Sequence, residues 1–341
     1  MRIVVFADNF SPSEHLLGLL IIAVQTNNLE KMYVFGKLPD RVEDDWIREF
    51  QGKLVHKSDA SYFAKMKAIV ASDIVFGISF AFLWMRVLSR LRILSFRPFF
   101  LGPGFVTKAV GYFKHPERGR WPAIKTMLTF DFLNTYFICS NELDRLYLAA
   151  ALGYPLNRTV SSPLPKHVYI NDALKRGDKK AIRNAILFAP THRWDEVIPP
   201  LTKLMADTDF VSGLIKRGFD IFHSKHPDTT ETILDLRVHK FEKDWSRVSC
   251  VVTDYSSIGE DFMLSGGGNV ILYVPDKLEF EAHQGFGPLF DDSMNEKIVT
   301  RELVELNTAL DELAGGMTAN SVHEILVDDY FQRLLAIGAR Q

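Results

Sequence analysis

Between residues 185 and 261 the chain alternates short, almost wholly apolar runs with small polar clusters, and this leaves few folds open to it. Ala185-Ile186-Leu187-Phe188-Ala189 leads to Pro190-Thr191-His192-Arg193, and Asp220-Ile221-Phe222-His223 leads to Ser224-Lys225-His226-Pro227. Cys250-Val251-Val252-Thr253 leads to Asp254-Tyr255-Ser256-Ser257, with Asp261 one turn later. Runs of this length without polar alternation are strands buried on both faces, and polar residues at their ends lie where open α/β sheets place ligands. Ser256 and Ser257 open a helical pattern, so backbone N–H groups and two hydroxyls suit a phosphate there. The commonest purely structural use of the same pattern is a helix N-cap with Asp261 in the first turn.

The N-terminal half repeats the alternation. Strand-like Arg2 to Asp8, a helix from about Ser13 to Val24, strand-like Met32 to Gly36, a helix near Arg41 to Phe50 and strand-like Leu54 to His56 make a βαβαβ beginning. A helix near Tyr62 to Ala71, a strand at Ile74 to Ile78, strand-like Tyr136 to Ser140 and a helix from Glu142 to Leu152 follow, with Asn141 as cap and Gly153-Tyr154-Pro155 as stop. At 341 residues the chain exceeds what one core usually supports. Two domains are therefore expected, with the crossing in the turn-rich stretch between about Pro163 and Lys175. Residues 1–165 form the first and 166–341 the second. The last helix, from about Ser321 to Ile337, packs back on the first. The fold class is α/β, two Rossmann-like domains facing a central cleft in the GT-B-like manner.

Composition removes several function classes. Cys139 and Cys250, the two cysteines, each lie in an apolar run, which points to buried reduced thiols rather than a disulfide or a metal site. Neither a metal nor a cofactor is expected. The start, Met1 to Asp8, goes directly into a strand pattern without the regions of a signal peptide, so a cytoplasmic protein is expected. The longest apolar run, Ile74 to Met85, has 12 residues, short of the roughly 20 that a spanning helix needs.

The net charge of −2 conceals an asymmetry. From Ile74 to Lys125 nine basic residues face one acid, Glu117, so this segment carries +8 and the remainder −10. Phe80 to Arg92 interleaves Trp84 and phenylalanines with Arg86, Arg90 and Arg92, the composition of a surface helix in anionic headgroups. Segment 80–125 is thus expected to meet the inner face of the cell membrane peripherally. A core helix with snorkelling arginine stems is the structural alternative. With a sequence pI of 6.6, no nucleic-acid partner is expected.

Ala189-Pro190-Thr191-His192-Arg193, Lys225-His226-Pro227, Thr253-Asp254-Tyr255-Ser256-Ser257 with Asp261, and Leu272-Tyr273-Val274-Pro275-Asp276 followed by Gln284-Gly285-Phe286 together resemble the CDP-glycerol glycerophosphotransferase family. The likeness covers roughly the C-terminal half. It implies two Rossmann-like domains, a CDP-linked donor, a lipid- or polymer-linked acceptor and work at the cytoplasmic membrane face. Two departures stand out. The family's Trp-His-Gly-Thr segment is matched here by Leu101-Gly102-Pro103-Gly104-Phe105-Val106-Thr107-Lys108, without the histidine. Its Arg-Gly is matched by Gln284-Gly285.

Roles follow from residue type and resemblance together. His226, Ser256, Ser257, Thr191 and Arg193 are expected to hold the donor phosphates, Arg193 through its fixed charge unless it forms only a surface ion pair. Glu279 and Gly285 are expected near the nucleotide, Glu279 on the ribose hydroxyls. Asp254 and Asp261 are structural, because a bare carboxylate would repel a diphosphate. With the family histidine missing, the base is His192 or Asp8, and His226 is the third catalytic candidate. Two other readings stand beside this one. A GT-B glycosyltransferase using CMP-sialic acid or another sugar nucleotide shares the His-Pro and Ser-Ser pairs, although Glu43-Asp44-Asp45-Trp46 lacks the glycine that follows the acidic pair there. A non-catalytic partner in a capsule assembly complex is the other.

Overall fold

A computed structural model describes residues 1–7, 14–38, 52–77, 85, 87–88, 91–101, 136–177, 184–191, 193, 197–224, 235–286, 298–315, 325 and 329–337. Thirteen strands among them form two sheets, and every pairing is parallel. The first holds β1 (Arg2–Phe6), β2 (Lys31–Phe35), β3 (Leu54–Lys57), β4 (Ile74–Phe76), β5 (Arg97–Leu101), β6 (Tyr136–Cys139) and β7 (Thr159–Ser161), in the order β3-β2-β1-β4-β5-β6-β7. The second holds β8 (Ala185–Ala189), β9 (Asp220–His223), β10 (His239–Lys240), β11 (Val248–Thr253), β12 (Asn269–Tyr273) and β13 (Ile298–Thr300), in the order β10-β9-β8-β11-β12-β13. This is the doubly wound α/β arrangement expected, once in each unit.

The apolar runs account for the central strands. Ile3 to Phe6 and Ala185 to Ala189 are buried throughout, since helices cover both faces of a parallel sheet. The edges differ: β10 is two exposed residues, His239 and Lys240, and β3 ends on exposed His56 and Lys57. Short, charged edges resist pairing with another chain.

The chain divides between Tyr169 and Ile170 and again between Ile325 and Leu326, so the helix Tyr330–Ile337 belongs to the first unit. There Phe331 meets Phe76 with ring centroids 6.3 Å apart. The stretch read as a turn-rich crossing is instead a helix, Pro165–Gly177, and the division falls inside it. Proline at the first helical position costs no hydrogen bond, which is why Pro165 starts this helix rather than preventing it.

Four strands escape the sequence reading, the short β10 and β13 of the second sheet and two of the first. β5 lies within the basic segment, where Arg97 and Pro98 mask it, yet it sits between β4 and β6. Proline is uncommon in an interior strand because it lacks a donor. Here β4 and β5 share only three residue pairs, Val75 opposite Pro98. β7 lies in the stretch before Pro163 that reads as turn. Helix Glu142–Leu152, by contrast, has the bounds expected from its sequence. Asn141 Oδ1 accepts from the Asp144 amide at 2.8 Å, and Gly153 closes the helix at φ 62.

Of segment 80–125, only 85, 87–88 and 91–101 are described. Met85 and Phe96 are core residues beside Val4, Phe6 and Val75, while Leu91 and Ile93 are exposed. No helix among the described residues is long and apolar enough to cross a membrane. Cys139 in the first unit and Cys250 in the second are buried free thiols, and burial pushes both thiol pKa values up. The helix expected at Arg41 to Phe50 lies outside the described residues, as do Asp8, His192 and His226.

Candidate functional site: the strand ends of the second sheet

In the second sheet, β9 and β10 extend to one side of β8, and β11 to β13 extend to the other. The winding reverses between β8 and β11, and a doubly wound sheet leaves a ligand crevice at that point, beyond the carboxyl ends of its strands. Register fixes which residues meet there. Ala189 lies opposite Thr253 and Thr253 opposite Leu272, so β8 and β11 end level and β12 runs one residue further. Thr253 Oγ1 donates to the Ala189 carbonyl at 2.6 Å and ties the first two ends together.

The segments leaving these ends share one buried network. Asp254 Oδ1 accepts from the amides of Thr191 at 2.8 Å and Tyr255 at 2.6 Å, and its Oδ2 accepts from Arg193 Nη2 at 2.9 Å. Arg193 Nη1 donates to the Thr191 carbonyl at 2.8 Å, and Nε to Asp276 Oδ2 at 2.9 Å. The Tyr255 hydroxyl donates to Asp276 Oδ1 at 3.0 Å. Tyr255 and Phe280 stack with centroids 3.8 Å apart, and the guanidinium carbon lies 5.1 and 4.9 Å from their ring centres.

Arg193 therefore corrects the expectation made of it. Its side chain is 0% exposed and all three guanidinium nitrogens are engaged inside the protein, so it is neither a phosphate contact nor a surface ion pair. Burial alone would lower its pKa, but the charges and hydrogen bonds of Asp254 and Asp276 outweigh it and hold the guanidinium above its ordinary value. Burial, with the Asp276 charge behind it, pushes the Tyr255 phenol up in turn. The hydroxyl stays a neutral donor.

Ser257 stands at the N-cap position of helix Ile258–Leu264 but makes no side-chain capping bond, and Ser256 Oγ accepts from the Ile258 amide at 3.4 Å. Gly259 allows this helix to lie close to the sheet: a Cβ there would sit 3.0 Å from Val270 Cγ1 and 3.2 Å from Thr253 Cγ2. Asp261 is buried one turn on, its amide donating to the Ser257 carbonyl at 2.9 Å. The Thr191 Oγ1 is buried and has no hydrogen-bond partner among the described residues.

After β12, Asp276 precedes helix Lys277–Gln284, on which Glu279 is exposed and Phe280 buried. Gly285 ends the helix at φ 71, a conformation side chains disfavour, and Phe286 beyond it stacks on Phe280 at 5.6 Å. Asp276 and Tyr255 stand in the family-like stretches but were given no role from sequence, and Phe280 was not picked out. The available signal was an acid directly after Pro275 at a strand end. Among the described residues no group of three or more His, Cys, Asp or Glu is placed to hold a metal ion.

Two parallel α/β units, one with its polar strand ends gathered at the winding reversal, make a GT-B-like α/β fold. The model of the CDP-glycerol:poly(glycerophosphate) glycerophosphotransferase family matches residues 134–315, more than half of the chain. The chain belongs to that family. Among solved structures, one variant of the wall teichoic acid polymerase TagF matches all of this chain and 89% of its own, at 15% identity and a TM-score of 0.60. Another TagF variant, soaked with CDPG, matches at 13% identity and 0.59, over 100% and 90%. UDP-GlcNAc 2-epimerase from Neisseria meningitidis bound to UDP-GlcNAc matches at 10% identity and 0.52, over the whole of both chains. No curated protein sequence matches the chain.

Proposed function

We propose that this transferase moves a phosphopolyol, glycerol phosphate or a close relative, from a CDP-linked donor to a lipid- or polymer-linked acceptor in cell-surface teichoic acid or capsule polymer synthesis. An acceptor hydroxyl attacks the β-phosphorus of the donor, the new P–O bond forms as the bond to CMP breaks, and the hydroxyl proton passes to a base. CMP leaves. The observation that carries this reading is the serine pair at the winding reversal of the sheet that the family match spans: Ser257 occupies a cap position without capping.

Ser256, Ser257 and His226 hold the diphosphate, with the buried Thr191 hydroxyl beside them and Glu279 near the ribose. His192, which stands in sequence between two residues of the Asp254 network, or Asp8 accepts the proton. The basic aromatic segment 80–125 holds the protein at the cytoplasmic face of the membrane. Positioning and charge stabilisation by the groups around the phosphates carry most of such a phosphoryl transfer.

The test is a screen of CDP-glycerol, CDP-ribitol, CMP-sialic acid and UDP-sugars for protection against heat unfolding. A CDP-polyol at 100 times its dissociation constant is expected to add about 2.7 kcal/mol. Protection confined to UDP-sugars would sink the proposal. Ser257→Ala should weaken CDP-polyol binding by roughly 1–3 kcal/mol, the range for a hydrogen bond to a charged group, and leave the melting temperature of the free protein within a degree or two, because no cap is lost. A melting loss without a binding loss would assign Ser257 to the fold alone.

A further inference from the structure

Arg193 spends each of its nitrogens on a different strand end: Nη1 on Thr191 after β8, Nη2 on Asp254 after β11, Nε on Asp276 after β12. Asp254 answers with its second oxygen, which fixes the amides of Thr191 and Tyr255 together. Its side chain is 1% exposed and that of Asp276 is 14% exposed. The acid nearest the serine pair in sequence is thus turned inward with a cation against it. We propose that Arg193 is the positioning residue of the donor site: it locks the segments after β8, β11 and β12 into one geometry and cancels an Asp254 charge that would repel an anionic nucleotide.

Resting on the donor reading above, this gives that site its substrate preference, a nucleoside diphosphate over the uncharged nucleoside. Three acceptors on three segments need a planar fork of donors, which lysine lacks. Electrostatics supplies the rest. A carboxylate left bare beside a phosphate in a partly dry site repels it, and the penalty grows as water is excluded.

Arg193→Lys and Asp276→Asn test the proposal in the full chain, Asp276→Asn standing in if the lysine variant does not fold. Amide hydrogen exchange needs no nucleotide. The Thr191 and Tyr255 amides should exchange at least about tenfold faster in Arg193→Lys, while Leu187 and Val251, inside β8 and β11, keep their protection; uniform acceleration or no change at Thr191 and Tyr255 overturns the lock. Calorimetric titration of Arg193→Gln, which removes the charge that lysine keeps, with CDP and with cytidine supplies the second readout. Affinity for CDP should fall about 10- to 100-fold, as for loss of hydrogen bonds to charged groups, and that for cytidine by less than about threefold. Asp276→Asn, which loosens the fork but leaves the cation against Asp254, should speed exchange at Thr191 and Tyr255 by a smaller factor and keep the preference for CDP over cytidine. Equal losses for both ligands overturn the charge-cancelling role. Wild-type protein that binds neither ligand removes the donor reading instead, a result separate from the exchange data.

Discussion

Asp254→Ala is expected to lower the stability of the second unit by about 3–5 kcal/mol, the cost of removing one partner from a buried ion pair. One substitution strands three donors: the amides of Thr191 and Tyr255 and the Nη2 of Arg193. Asp276 retains its bond to Nε but cannot reach the vacated side of the fork, and it is itself partly exposed. For a unit of this size the melting temperature should drop by roughly 10 °C. Calorimetric scanning reads it directly. A loss below about 1 kcal/mol would mean that water already satisfies the network and that Asp254 does not organise these segments.

Gly18→Ala should be nearly as damaging, for a steric reason in the first unit. Gly18 lies in the helix Glu14–Gln25, where every residue from Glu14 to Ala23 is buried. A Cβ at this position would fall 1.6 Å from the carbonyl oxygen of Pro165, a backbone atom that cannot rotate away. Alanine favours helix by up to about 1 kcal/mol over glycine, yet here the helix must retreat from its neighbour and open the packing around Leu17 and Ile21. A net loss of about 3 kcal/mol is expected, near the upper end for overpacking. Urea unfolding at equilibrium would measure it. A stabilised variant would mean that propensity decides at this position and that the two backbones are not in contact.

Much of the architecture was legible because parallel strands, buried on both faces, are written as unbroken apolar runs. Ile186 to Ala189 and Cys250 to Thr253 could hardly be anything else. The helix Glu142–Leu152 was legible at both ends because Asn141 and Gly153 act within a few residues of the backbone they cap. What hid β5 was a proline and an arginine in a strand only five residues long, and what hid helix Pro165–Gly177 was a proline that reads as a stop when it is a start. The site was legible in outline only. Strand ends and the serine pair could be named, but the fate of Arg193 depends on Asp254 and Asp276, 61 and 83 positions away. A lone arginine after a strand looks the same in sequence whether it meets a ligand or two carboxylates. Asp276 was named without a role for the same reason: its importance is set by what arrives from elsewhere in the chain.

The two thiols give each unit its own clock. Cys139 and Cys250 are fully covered, and only the thiolate attacks an alkylating reagent. Modification must then wait for the surrounding strands to open. Mass spectrometry of the two cysteine peptides after timed exposure to iodoacetamide separates the opening of the first sheet from that of the second, in the native chain and without an engineered probe. Because these 341 residues hold no third cysteine, any thiol introduced at their surface would react alone.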